Sequence, residues 1–500
     1  MRRGPSACCS RISLINQWYR VPTTSAFTLP KGYHKGMMNG RHWITVAGIM
    51  IALIGVVWMS RSDSRNRIDQ QRNVVVILVD TLRTDHVGLY GYGERATTPN
   101  IDLIGRRGRW FESAWSTAPW TTPSIMSLMT SMHPAVHGFN LEGHRYASVV
   151  PVLSSSIQTL AQVLGSNGYR TMAVTGGGGV GSVYGFDRGF DRFFEPDVVT
   201  GEDVESGVDL ALQWLKSVEN EQFFLFFHTY EVHLPNTHRV FAEGLSAAGR
   251  AASAYDSDLA FADQHLGRLF EHLETQNQLD DTLVIITSDH GENLHDRILG
   301  ERPVEHGHHL HDELLSVPLI FVAPGLIPAG QGLSEPVQLT DVMPTILSLV
   351  GIPTQGMRIQ GRDLRGRLQG WAPSIDNRTM FAGAPLQGSN WHSIRTSDAK
   401  LMVTPPVHGT NWWNNLNQPS EALYLLGDDP HERDNVFDAL PDIANSLQTT
   451  LKQHLAADTA LRQELGPAEY VPVENDRTKL EALGYIETSQ PGQDAPQDGS

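Results

Sequence analysis

Five short runs of consecutive apolar residues constrain this chain most. They read VVVILV (74–79), TMAV (171–174), FFLFF (223–227), TLVII (282–286) and PLIFV (318–322). A strand with one wet face alternates apolar and polar residues. A run that is apolar throughout suits a strand covered on both faces. Helical patterns separate the runs, at SSSIQTLAQVLGSNG (154–168) and AYDSDLAFADQHLGRLFEHLE (254–274). The second sets Leu259, Ala262, Leu266, Leu269, Phe270 and Leu273 on one stripe. The alternation predicts an α/β fold, a three-layer α/β/α domain over residues 73–365 with a mostly parallel sheet. Beyond residue 375 the texture changes. Short strands at Trp391 to Ile394, Lys400 to Val403 and Ala422 to Leu425, with helices near 438–455 and 475–483, predict a smaller α+β subdomain over 375–487. The last residues, 488–500 (TSQPGQDAPQDGS), have the composition of a disordered tail.

The net charge of −17 is unevenly distributed. Residues 1–72 hold 11 Lys and Arg against Asp63 and Asp69, a balance of +9, which leaves −26 on the rest. An acidic body argues against a nucleic-acid binder, which needs a basic face. Cys8 and Cys9 are the only cysteines, which excludes a disulfide scaffold and a cysteine-based zinc module. Residues 43–59, WITVAGIMIALIGVVWM, carry no charge and end in Trp43 and Trp58–Met59. This is at the short end of a bilayer-spanning helix, with aromatic rings where lipid meets water. Seven basic residues precede it, and its exit, VVWMSRS, lacks the small-residue site of a cleaved signal peptide. The expectation is a single-pass membrane protein. Residues 1–42 would be cytoplasmic, 60–72 a linker, and the catalytic domain periplasmic or extracellular.

Polar residues cluster where the apolar runs end. The first run ends in Asp80, the fourth in Ser288-Asp289-His290-Gly291. Ligands of parallel sheets bind outside the carboxyl ends of strands. Asp80, Asp289 and His290 are therefore candidate metal ligands, although strand-end aspartates also cap helices. In APWTTPSIMSLMT (118–130), Thr122-Pro123 reads as a helix start with Thr121 just ahead of it. A hydroxyl there, close to a metal, could become a nucleophile. Two histidine-bearing segments follow: YEVHLP (230–235) with His233, and EHGHHLHD (305–312) with His306 and His308. Each of these three could contact substrate or metal.

In order along the chain, these segments resemble the sulfatase family of the alkaline-phosphatase-like superfamily. The resemblance rests on NVVVILVDTLRTDHVGLYGY (73–92), TTPNID (97–102), the Thr121 segment, GFDRGFD (185–191), HLP (233–235), TSDHGE (287–292), HDELLSVPLI (311–320), QLTDVMPTIL (338–347) and LYLLGDDPHERDN (423–435). It implies a divalent metal and attack on a sulfate or phosphate ester. The departures are specific. Family members carry Cys or Ser in Cys-x-Pro-x-Arg and oxidise it to formylglycine; this chain reads Thr121-Thr122-Pro123-Ser124-Ile125. The paired Asp at the first strand is Asp80-Thr81, the Asp-Asn pair is Asp289-His290, and a Gly-Lys-Trp-His segment is replaced by Thr175-Gly176-Gly177-Gly178-Gly179. The remaining set resembles superfamily sites with a threonine nucleophile, in which Asp80, Thr121, Asp289 and His290 hold one metal. An imidazole in place of an amide moves the preference toward zinc or manganese, with calcium or magnesium possible. The implied function is a membrane-anchored hydrolase of sulfuric or phosphoric esters, with lipid- or glycan-linked esters among the expected substrates. Thr121 would attack, and His233, His306 or His308 would assist the leaving group. The alternatives are a headgroup phosphotransferase at the membrane surface and a non-catalytic binding protein of the same fold.

Overall fold

The apolar run at 74–79 forms strand β1 (Asn73–Val79), and its side chains divide strictly by parity. Val74, Val76 and Leu78 enter one core; Val75, Ile77 and Val79 enter another. The computed structural model describes residues 72–139, 149–177, 179–196, 203–241, 247–299, 302–303, 306–375, 377–383, 391–404, 419–466 and 469–472, all within one unit, Asn66–Ser500. The apolar segment 43–59, the expected helix at 475–483 and the tail lie outside these residues. Among the described residues no helix is long and apolar enough to cross a membrane.

β1 lies inside an eight-stranded sheet. The other strands are β2 (Arg109–Trp115), β3 (Arg170–Val174), β4 (Arg192–Phe194), β5 (Phe223–Thr229), β6 (Thr282–Thr287), β7 (Leu319–Val322) and β8 (Gln331–Gln338). The spatial order is β8-β2-β7-β6-β1-β5-β3-β4. Helices α1 (Pro99–Gly105), α2 (Thr121–Thr130), α3 (Leu160–Ser166), α4 (Val204–Ser217), α5 (Ala247–Thr275) and α6 (Val342–Leu349) cover its faces. Ile125 and Met129 of α2, Leu164 of α3 and Ile346 of α6 pack with Leu78. Ile101 of α1, Trp214 of α4 and Leu266 of α5 pack with Ile77. The result is an α/β fold with three layers.

Strands β4, β3, β5, β1 and β6 are parallel, as the apolar runs predict for all but β4, a three-residue edge strand outside those runs. The fifth run departs from that expectation. β7 is antiparallel to both β6 and β2, so the sheet is mixed. The chain leaving β6 does not cross a face of the sheet in a long helix, as a parallel return requires. Among its described residues, only Asp312–Leu315 is helical before β7. The segment stays at the carboxyl end of β6 and carries His290, Glu292 and His306. The helix expected at 154–168 begins only at Leu160. Thr159 caps it, accepting from the Gln162 amide, while Gln162 answers the Thr159 amide. β2 and β8 escape the apolar-run criterion. β2 mixes buried and open positions, and β8 is an edge strand with a bulge beside Pro336, where a missing N–H costs no ladder bond.

The smaller sheet is antiparallel, with β9 (Met380–Ala382), β10 (His392–Arg395), β11 (Ala399–Val403) and β12 (Glu421–Leu425) in that order. Its Met402 and Tyr424 pack on Trp115 and Leu315 of the larger sheet's layer. Its Ile394 and Leu423 pack on Ala444 and Leu451 of α7 (Pro441–Leu465), which runs ten residues past the expected end at 455. Lys400 is fully buried between the two parts, 2.8 Å from Asp312 and 2.7 Å from Glu432.

Candidate active site

Asp80 follows the last residue of β1, and Asp289 and His290 follow β6, its parallel neighbour. Thr121 is the first helical residue of α2, with Trp120 in the cap position, rather than the residue ahead of the helix. Apolar packing of α2 against β1 thus brings its amino end over the carboxyl ends of the strands. All four side chains are buried. Thr121 Oγ1 lies 3.4 Å from Asp80 Oδ2 and 3.4 Å from His290 Nε2. One oxygen each of Asp80 and Asp289, with His290, form a three-residue group whose ligand atoms lie within 4.8 Å of one another.

The loops are fixed by backbone bonds. Thr81 is held at φ 58, a strained conformation for a β-branched residue. Its N–H donates to Asp289 Oδ1 at 3.2 Å, and the Leu82 N–H to Ser288 Oγ at 2.8 Å. Tyr255 on α5 locks the same turn. Its hydroxyl donates to the Thr81 carbonyl and accepts from the Arg83 N–H, both at 2.8 Å. Gly291 follows the ligand pair because a Cβ there would meet the Glu313 carbonyl oxygen at 2.1 Å. His290 Nδ1–H donates to the Gly291 carbonyl at 2.7 Å. That bond fixes the tautomer and leaves the Nε2 lone pair facing Thr121.

His233 and His306 meet beside this group. Their Nε2 atoms are 3.3 Å apart, and the rings of His290 and His306 are 4.7 Å apart. His306 Nδ1 bonds Glu292 Oε2 at 2.8 Å, His233 Nδ1 bonds the Leu234 carbonyl at 2.6 Å, and the Tyr230 hydroxyl reaches His233 Nε2 at 2.6 Å. Burial and neighbouring His306 lower His233 to about 3. Burial would raise the Glu292 carboxyl, but His306, His233 and His290 around it hold it down at about 2. The structure thus brings together Asp80, Thr121, Asp289, His290, His233 and His306.

The sequence reading passed over two further side chains. Glu292 sits inside the quoted TSDHGE. His228 extends the FFLFF run into β5, where its buried ring meets Asp80 Oδ2 through Nε2 at 3.0 Å. A polar residue continuing an all-apolar strand was the available signal.

The donor set fits a divalent cation. Asp80 Oδ1 and Asp289 Oδ2 are buried without any hydrogen-bond partner. Buried polar atoms are rarely left so. Burial, with Asp289 and Glu292 alongside, pushes the Asp80 carboxyl well above the usual range. Two carboxylates and one oriented imidazole supply the missing partner's counter-charge.

The sulfatase family model matches residues 72–352, more than half the chain. The chain belongs to the sulfatase family. It is an enzyme of that family, a hydrolase acting on ester bonds. Arylsulfatase A of Homo sapiens is 24% identical over 76% of this chain and 86% of its own length. Choline-sulfatase of Rhizobium meliloti is 34% identical over a shorter stretch, 22% of this chain and 20% of the other. Among solved structures, BT4656 in complex with D-glucosamine-2-N,6-O-disulfate covers 80% of this chain and 99% of its own, with TM-score 0.62 and 18% identity. The phosphonate monoester hydrolase of Agrobacterium radiobacter covers 78% and 96%, with TM-score 0.61 and 17% identity. Ile125, in the first turns of α2, is buried in the apolar core.

Proposed function

We propose that this sulfatase-family protein is a metal-dependent hydrolase whose nucleophile is the Thr121 hydroxyl. The observation that carries the reading is the placement of Thr121 Oγ1, 3.4 Å from both Asp80 Oδ2 and His290 Nε2, beside two unsatisfied carboxylate oxygens. A divalent cation held by Asp80, Asp289 and His290, zinc or manganese by donor type, would lower the pKa of the hydroxyl and polarise the ester. Thr121 Oγ1 gives up its proton toward Asp80 Oδ2, to which it donates at 3.4 Å, and attacks phosphorus or sulfur, and the bond to the leaving alcohol oxygen breaks on the opposite side. The phosphate or sulfate ester formed on Thr121 is then cleaved by water, whose oxygen stays on the released phosphate or sulfate while a proton returns to Thr121 Oγ1. The amino end of α2 favours the anionic group during both steps. His306, held by Glu292, would give the departing oxygen its proton, and the neutral His233 would orient His306 through their 3.3 Å Nε2 contact.

A threonine cannot yield the formylglycine aldehyde, since oxidation of its side chain gives a ketone. The Arg and Lys of the sulfate-binding pattern are absent as well. These departures favour a phosphoric ester as the working substrate. The apolar run 43–59 with its basic flank supports a single-span anchor, with the body outside the cytoplasm. The test is turnover of aryl sulfate, phosphate monoester and phosphodiester substrates by the full chain, with Thr121→Ala alongside. The expected result is phosphoester cleavage that falls on the order of 10³-fold or more in the variant. Unchanged turnover in Thr121→Ala would remove the nucleophile assignment, and cleavage of the sulfate ester alone would reverse the substrate preference.

A further inference from the structure

His228 lies among the carboxyl ends of β1, β5 and β6 with both ring nitrogens engaged. The Gly176 N–H meets Nδ1 at 3.2 Å, and Nε2 meets Asp80 Oδ2 at 3.0 Å. A backbone N–H can only donate, so Nδ1 accepts. The single proton of the neutral ring therefore sits on Nε2 and points at Asp80. A charged ring would set two N–H groups against each other at Gly176, which the geometry excludes. A ring that ligates a cation through Nε2 would need a bare lone pair there, which the same geometry also excludes.

We infer that His228 is a positioning residue for the metal carboxylate and not itself a ligand. Its Nε2–H holds Asp80 Oδ2, to which the Thr121 hydroxyl also points at 3.4 Å. That orientation leaves Oδ1, the unpartnered oxygen, to face the cation. The lock begins at the backbone of Gly176, just past the carboxyl end of β3. Gly176 must be glycine for the lock to close: a Cβ there would meet the Tyr230 nitrogen at 2.5 Å and the Tyr230 Cβ at 2.9 Å. The Gly176 backbone thus acts on the site through His228. Outer partners of this kind set ligand direction, and their loss typically weakens metal affinity about 10–100-fold.

The inference rests on the metal reading proposed above, and the test separates the two. Binding of Co²⁺ to the metal-free full chain is titrated by its visible absorption, and the number of imidazole ligands is read from X-ray absorption of the loaded protein. Wild type should bind one ion with one imidazole, from His290. His228→Leu should bind about 10–100-fold more weakly. His228→Gln should bind within a few-fold of wild type, because its amide can donate to Asp80 and accept from Gly176. Gly176→Ala, which keeps the imidazole but displaces its partner, should fall between them. Equal affinity in His228→Leu and wild type, equal losses in the Leu and Gln variants, or a second coordinated imidazole that disappears in His228→Gln would each overturn the inference. Failure of wild type to bind the ion would instead overturn the metal reading itself.

Discussion

Two sets of buried carboxylates are treated in opposite ways. On α5, Asp256, Asp258 and Asp263 are fully buried, and each is saturated with donors. Asp256 receives His86, the Tyr92 hydroxyl and Arg95, each at 2.6 Å. Asp258 takes the Asn236 amide at 2.7 Å and the backbone of His238 at 2.7 Å. Asp263 takes the backbone N–H groups of Asn100 at 2.9 Å and Ile101 at 2.8 Å. These acids pin two loops and the first turn of α1 to one helix. At the strand ends, Asp80 and Asp289 are equally buried, yet each keeps an oxygen with no partner. A charge that is both desolvated and unpaired destabilises the fold. Its persistence marks a group whose partner arrives from outside the chain.

The comparison is broken most severely at Asp289. In Asp289→Asn the amide keeps Oδ1 for the Thr81 N–H and can donate to His290 Nε2, which lies 3.3 Å from Oδ2. Divalent-metal affinity should fall on the order of 100-fold or more, with activity following. Stability of the metal-free protein should not fall. Calorimetric titration and thermal unfolding of the metal-free form check both halves; a destabilised metal-free variant would place Asp289 with the structural acids.

Asp256→Ala should behave in the reverse way. It strands His86, Tyr92 and Arg95 around a cavity and should cost about 3 kcal/mol of stability. Metal affinity should stay unchanged, and so should turnover per folded molecule. Urea unfolding beside a metal titration reads the two effects separately. A variant that keeps its stability but loses the metal would dissolve the distinction.

Much of this arrangement was legible in the sequence, because its physics is local. The apolar runs specify doubly covered strands, and a polar residue at the end of such a run has nowhere to go but the sheet's carboxyl edge. That logic found Asp80, Asp289 and His290. It stopped at Phe227, so His228 was lost although it continues the same strand. Glu292 was lost because its role depends on His306, which lies fourteen residues further on. The direction of β7 was not legible either. PLIFV is apolar on every residue whichever way the strand runs, and direction is set by the connection before it. The saturated acids of α5 were equally hidden. Asp256, Asp258 and Asp263 look like the wet face of an amphipathic helix until the loops that cover them are placed.

The smallest effect concerns a histidine on the structural side of the same divide. His137 is buried, its Nδ1 accepts from the Phe139 N–H at 3.3 Å, and its Nε2 lies 3.0 Å from Ser127 Oγ. Both nitrogens are used only if the ring is neutral. Burial lowers its pKa from 6.5 to about 3. Between these values the unfolded chain binds a proton that the folded chain refuses, so stability rises with pH across this window. The contribution is whole above pH 6.5 and is lost progressively below it. One unit below, at pH 5.5, this histidine alone removes about 1.4 kcal/mol. His137→Gln keeps a donor and an acceptor without the proton site. Its urea midpoint should therefore fall less steeply than wild type between pH 7.5 and 5.5, while metal affinity at pH 7.5 stays the same. Parallel pH profiles in the two proteins would show that the ring is already charged in the fold, and satisfied hydrogen bonds would then no longer separate structural groups from functional ones.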